Sequence, residues 1–191
     1  MKIPFSALLL AGGRSSRMGT DKALLSYTGK PLWGYQIDKF KAIGAEEILI
    51  SRSQDQRSWE VERGELFVRD RFEQAGPMGG ILAGMERSKN ELLMVLAVDL
   101  PLISIELLLS LSERAARDCG VVYCSKNFFE PLAAIYPISL QQEISKSLEK
   151  GERSMQPLLN RWVAEGKMTS ISIPLSWMPQ WKNVNSPAEI D

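Results

Sequence analysis

The residues with the most chemical character lie in one stretch, Leu8-Leu9-Leu10-Ala11-Gly12-Gly13-Arg14-Ser15-Ser16-Arg17-Met18-Gly19-Thr20-Asp21-Lys22, and at one acid, Asp99. Paired glycines after an apolar run let peptide N–H groups turn toward a ligand with no side chain in the way, while Arg17 and Lys22 supply cations that reach phosphate oxygens. The chemistry this favours is the gripping of a polyphosphate. From Gly13 the next glycine is Gly19, one residue too far for the nucleoside-triphosphatase loop, and Thr20 stands where that loop needs lysine; the dinucleotide glycine fingerprint fails as well. By composition alone the stretch is also compatible with a surface loop carrying two solvated charges.

Asp99 directly follows Leu92-Leu93-Met94-Val95-Leu96-Ala97-Val98, the longest continuous apolar run in the chain. A carboxylate at the carboxyl end of a buried strand stands on the edge of an open α/β sheet where ligands bind, the same edge on which the Gly12-Gly13 turn must open. Near a triphosphate an ionised aspartate can hold Mg²⁺, which takes oxygen ligands and only one or two of them from protein; away from one it is a turn former before Pro101. The chain has no histidine, which removes the commonest general base. A phosphate nucleophile, whose second pKa is about 6, needs none.

Leu10-Ala11-Gly12-Gly13, Ser16-Arg17-Met18-Gly19 and Asp21-Lys22 together resemble the signature loop of the nucleotidyltransferases, and among them the molybdenum cofactor guanylyltransferases. Val98-Asp99-Leu100-Pro101 resembles the family's metal-binding segment, and Gly76-Pro77-Met78-Gly79-Gly80, shortly after Asp70, resembles its nucleotide-contacting turn. Asn183-Val184-Asn185-Ser186-Pro187 is similar to the closing segment whose asparagines face the active site, and Glu130–Tyr136 to a strand near the acceptor pocket. The resemblance implies catalytic roles for Arg17, Lys22 and Asp99, with Asp99 as metal ligand. It implies nucleotide contacts from Leu10, Ala11, Gly12, Gly13, Lys22, Ser51, Asp70, Gly76, Gly79 and Asp99, and acceptor contacts from Asn183 and Asn185. Ser51-Arg52-Ser53 departs from the family, which has asparagine after this strand.

The implied activity is transfer of GMP from GTP to the terminal phosphate of molybdopterin, with Mg²⁺ as cofactor. A Leu-Ala-Gly-Gly start and a glycine opening the second segment favour GTP over CTP. A CTP-dependent molybdopterin cytidylyltransferase or sugar-phosphate nucleotidyltransferase of the same fold stays open, as does a GTP-sensing module, and the candidate protein partners are molybdenum-insertion enzymes.

These residues must be positioned by alternating strands and helices. Strands are expected from Ile3, over Ile48-Leu49-Ile50, over Leu66-Phe67-Val68 and over Leu92–Val98; helices from Pro31 to Ile43 with Gly44 as stop, around 54–63, and from Met78 to Arg87. Ser104 can cap a helix bearing Leu107, Leu108, Leu111 and Ala115, with Gly120 beyond its end. Ser139 and Gln142 form a potential capping box before a helix stopped by Gly151, and Met155, Leu158, Leu159, Trp162 and Val163 make a core stripe after Ser154. Alternation of this kind implies a mostly parallel sheet covered on both faces. With the resemblance, the expectation is a Rossmann-like three-layer α/β sandwich of the nucleotide-diphospho-sugar transferase type, one domain over 1–191.

The composition, 45% hydrophobic and 24% charged, suits a globular domain with a sizeable core. With 23 basic and 23 acidic side chains the net charge is zero, so nothing marks the chain for nucleic acid or an anionic membrane. Cys119 and Cys124 read as reduced thiols, and the short apolar start carries neither a membrane span nor a cleavage site, which together suggest a cytoplasmic protein. Trp177 and Trp181 are expected to pack the last strand, with a partner surface as the alternative.

Overall fold

The structure is a computed structural model that describes residues 3–12, 21–52, 65–69, 72, 75–126 and 128–184. Its centre is a seven-stranded sheet built from β1 (Ser6–Leu10), β4 (Glu47–Ser51), β5 (Glu65–Val68), β6 (Leu92–Ala97), β7 (Gly120–Ser125), β8 (Phe128–Pro137) and β9 (Met168–Ser172), in the order β5-β4-β1-β6-β8-β7-β9. Only β8 runs against its neighbours, pairing antiparallel with both β6 and β7. It does so because a tight turn with Lys126 in a left-handed conformation, φ 55°, reverses the chain directly after β7.

Every residue of β1, β4 and β6 is buried, as strands covered on both faces must be. Alternation sends Ala7 and Leu9 to one side, among Leu32, Phe40, Leu107 and Leu111, and Leu8 and Leu10 to the other, among Met78, Ile81, Leu159 and Trp162. The first side is covered by helices α1 (Leu32–Ala42) and α3 (Ile105–Arg114), the second by α2 (Pro77–Arg87), α4 (Gln141–Glu149) and α5 (Met155–Ala164). Fully burying one such leucine contributes about 1.5–3 kcal/mol, so Leu9 on one side and Leu8 and Leu10 on the other anchor β1 to both layers. A small antiparallel hairpin, β2 (Ser26–Tyr27) and β3 (Lys30–Pro31), turns through Thr28 and Gly29, both at positive φ, and feeds α1.

Helix α1 stops as expected, with Gly44 at φ +80°, and Ser104 and Ser154 accept amide hydrogen bonds at the starts of α3 and α5. Two expected signals act differently. Gly120 does not stop α3, which ends at Arg114; it begins β7, where a side chain would strike Met168 and the carbonyl of Ile135. Ser139 does not cap α4: it lies in a 3-10 turn over Ile138–Leu140, and Leu140 is already helical at φ −81°, ψ −5°, where a capping residue would be extended. Trp177 and Trp181 pack against the α1 and α3 side of the core, as do Ile171 of β9 and Ile173, and the Trp181 ring lies 5.2 Å from Tyr123 in β7. The helix expected around 54–63 lies outside the described residues, among which no helix is long and apolar enough to cross a membrane.

Candidate active site

Parallel pairing sets Leu10 opposite Ala97 in the register of β1 and β6. Gly12 and Asp99 each lie two residues beyond that pair, so the glycine turn and the acid leave adjacent strands at the same level of the same edge. The turn is bolted down by its backbone: Ala11 N and Gly12 N both donate to Ser51 O, at 2.8 and 2.9 Å, and Val98 N donates to Leu10 O at 3.0 Å. Leu10 and Ala11 are buried while Gly12 is exposed, which turns the first open backbone of the loop toward solvent at the sheet edge.

Lys22 returns to this edge at the start of a short 3-10 turn over Lys22–Leu24, capped by Asp21, whose Oδ1 accepts Ala23 N at 3.1 Å. Its Nζ lies 3.9 Å from Asp99 Oδ2, with side-chain exposures of 28% and 26%. Burial pushes the Asp99 carboxyl above its ordinary value, against the pull of Lys22 and of its own backbone N–H. Lys22 is, among the described residues, the one cation within ion-pair distance of this mostly buried carboxylate, and added positive charge would favour its ionised form. Among the described residues no three His, Cys, Asp or Glu side chains gather. The donor set among the described residues is one hard carboxylate at the glycine turn, which fits Mg²⁺, an ion that takes oxygen ligands and only one or two of them from protein.

Helix α2 begins on the same edge. Gly76 precedes it at φ +61°, ψ −150°, and no described side chain caps its first turn, leaving amides that can meet a nucleotide. The helix comes close because Gly80 and Gly84 face the sheet: a Cβ on Gly80 would fall 2.7 Å from both Leu10 Cδ2 and Ser51 Oγ, and one on Gly84 2.6 Å from Leu8 Cδ2. Gly79 is buried beside them and Ser51 is buried at the end of β4. The adjacent Arg52 lays its guanidinium 3.6 Å over the Phe67 ring.

The carboxyl-terminal segment closes onto the acid, with Val184 N donating to Asp99 O at 2.8 Å and the exposed Asn183 immediately before it. Glu130, in the first half of β8, has its carboxyl raised by burial. Leu10, Ala11, Gly12, Lys22, Ser51, Gly76, Gly79, Asp99 and Asn183 are thus all described, whereas Gly13, Arg17, Asp70 and Asn185 lie outside the described residues. Sequence reasoning missed Gln36 and Lys39, two buried polar residues of α1 that reach the segment around Asp99. Their signal was present, since they interrupt the otherwise apolar stripe of Leu32, Phe40 and Ile43.

The MobA-like NTP transferase domain matches residues 7–166. A probable molybdenum cofactor guanylyltransferase of Opitutus terrae is 36% identical over 186 residues, 96% of this chain and 91% of that protein. A molybdenum cofactor guanylyltransferase of Ectopseudomonas mendocina is 31% identical, over 96% of this chain and 89% of its own. The crystal structure of molybdopterin-guanine dinucleotide biosynthesis protein A from Archaeoglobus fulgidus superposes with a TM-score of 0.74 at 21% identity, covering 97% of this chain and 94% of that one, and so shares the fold.

Proposed function

The chain belongs to the MobA-like NTP transferase family, and we propose that within it this protein moves GMP from GTP to the terminal phosphate of molybdopterin, giving the guanine dinucleotide and pyrophosphate. The observation that carries the reading is the convergence of Gly12, Lys22 and Asp99 on one sheet edge, with Lys22 Nζ 3.9 Å from Asp99 Oδ2.

The acceptor is a phosphate monoester that is ionised near neutral pH, so no residue has to remove a proton, consistent with a chain that has no histidine. An acceptor oxygen forms a bond to the α-phosphorus in line with the α–β bridge; that bridge breaks and its electron pair leaves with pyrophosphate. Asp99 would hold Mg²⁺, which when bound would supply neutralisation of charge on the phosphates. Lys22 and Arg17 hold the departing β- and γ-phosphates, and the absence of side chains at the glycine turn lets the triphosphate approach the backbone closely. Gly76, Gly79, Ser51 and Asp70 border the guanosine, and Asn183 and Asn185 border the acceptor. Catalysis is positioning plus charge neutralisation, in keeping with a site read as offering the cations Lys22 and Arg17 and the carboxylate of Asp99.

Incubating the protein with molybdopterin, Mg²⁺ and either GTP or CTP, and identifying the product by mass, tests this directly. The guanine dinucleotide should form from GTP and not from CTP. Formation of the cytosine dinucleotide alone would move the protein to a cytidylyltransferase role, and GTP binding without any dinucleotide would leave a nucleotide-binding module.

A further inference from the structure

Gln36 and Lys39 lie three residues apart on one face of α1 and are 0% and 5% exposed. Buried polar groups call for partners; those that Gln36 Nε2 and Lys39 Nζ find are all carbonyls on either side of Asp99, while Gln36 Oε1 has none among the described residues. Gln36 Nε2 donates to Ala97 O at 3.2 Å and to Val98 O at 3.4 Å. Lys39 Nζ donates to Pro101 O at 2.6 Å and to Ile103 O at 2.8 Å, with the Tyr35 ring 4.6 Å away.

The segment they hold is irregular, leaving β6 at Ala97 and entering α3 only at Ile105, so sheet and helix ladders cannot satisfy it. Its other bonds are Val98 N to Leu10 O at 3.0 Å, Val184 N to Asp99 O at 2.8 Å, Leu100 N to Ala97 O and Ile103 N to Leu100 O, both at 3.3 Å, and Ser104 N to Gln180 Oε1 at 2.9 Å. From Ala97 to Ile103 only the exposed Leu102 falls outside this scheme. Burial pushes the Lys39 amine down to about 7, yet charged or neutral it has the two N–H donors its carbonyls need. An apolar side chain would fill the same space without desolvating a cation. The placement therefore makes sense for fixing this segment and not for core stability.

We infer that Gln36 and Lys39 are positioning residues for Asp99, holding its backbone from both sides so that the carboxylate is presented to the metal in one geometry. This rests on the reading of Asp99 as metal ligand. A carboxylate held loosely still binds metal, but weakly, whereas nucleotide affinity without metal depends on the glycine turn and the cations instead.

The test uses the full chain with Gln36→Leu and Lys39→Met, checked for native unfolding temperature, and reads Mn²⁺ binding to the GTP complex by electron paramagnetic resonance, with GTP binding in EDTA as reference. Each variant should weaken Mn²⁺ about tenfold while GTP binding in EDTA stays within twofold. Mn²⁺ affinity within twofold of wild type in a folded variant overturns the inference; should Lys39→Met fail to fold, Gln36→Leu alone decides. Asp99→Asn, measured alongside, separates the two failures. If it retains Mn²⁺, the metal role of Asp99 falls and the inference with it. If it loses Mn²⁺ while the tether variants keep it, only the inference falls.

Discussion

Lys22 Nζ stands 3.9 Å from Asp99 Oδ2 across the sheet edge, bringing together two residues 77 positions apart in the chain. A partly solvated pair at this distance contributes at most about 1 kcal/mol to folding, so the lysine is placed for a ligand more than for stability. Lys22→Ala should therefore shift urea unfolding by less than about 1 kcal/mol and weaken GTP about tenfold, or about 1.4 kcal/mol. Equilibrium nucleotide binding checks this; unchanged GTP affinity would remove Lys22 from the phosphate site.

On the far side of the molecule Glu143 ties α4 to α5 and to the turn after it, accepting from Arg161 at 2.7 Å, Lys167 at 2.8 Å and the indole of the buried Trp162 at 2.9 Å. Burial would raise its carboxyl, but the hydrogen bonds from Lys167, Trp162 and Arg161 outweigh that and hold it at about 2. A carboxyl depressed in the folded state contributes stability above its unfolded value and loses that contribution as pH falls through the folded one. Glu143→Gln should cost about 1–2 kcal/mol at pH 7, and its gap from wild type should close between about pH 4.5 and pH 2. A gap as wide at pH 2.5 as at pH 7 in denaturant titrations would contradict this.

Lys39 gives the same slope in a higher pH window, although there it is the charged form that the fold disfavours. With its folded value near 7 against an ordinary 10.5, the unfolded chain binds more protons between those limits, so wild type should gain stability there as pH rises. Relative to Lys39→Met the gain should be about 1–2 kcal/mol between pH 7 and pH 9. Urea titrations of both proteins at the two pH values measure it, and parallel curves would show that the amine stays charged.

Gly120 and Gly151 are needed for different reasons. A methyl at Gly120 meets Met168 Sδ, the carbonyl of Ile135 and Pro137 Cδ, whereas Gly151 has open space and is constrained only by its φ of +84°. Gly120→Ala should cost about 3 kcal/mol or more, and Gly151→Ala about 1–2 kcal/mol. Thermal unfolding ranks them, and a reversed order would contradict the packing of β7 against β8 and β9.

What the sequence made legible were features carried by neighbouring residues. The apolar runs of β1 and β6, the glycines ending β1 and the acid ending β6 together locate the edge, because a parallel sheet places all its strand ends alike. The antiparallel course of β8 was hidden, since it depends on a turn at Lys126 with none of the usual glycine signal. Gly120 read as a helix stop because its constraint comes from β8 and β9, elements outside its own neighbourhood. Gln36 and Lys39 broke the apolar stripe of α1 visibly, but what they hold was hidden for the same reason: their partners lie 61 to 64 residues away.

Pyrophosphate release is the most direct probe of the idea that Gly12 and Asp99 grip one magnesium-bound triphosphate. It should be followed with GTP, Mg²⁺ and molybdopterin for wild type and for folded Asp99→Ala. Wild type should release one pyrophosphate per guanine dinucleotide formed, and Asp99→Ala should be slower by about a hundredfold or more. Release by Asp99→Ala at the wild-type rate would contradict the assignment of Asp99 and, with it, the shared cleft.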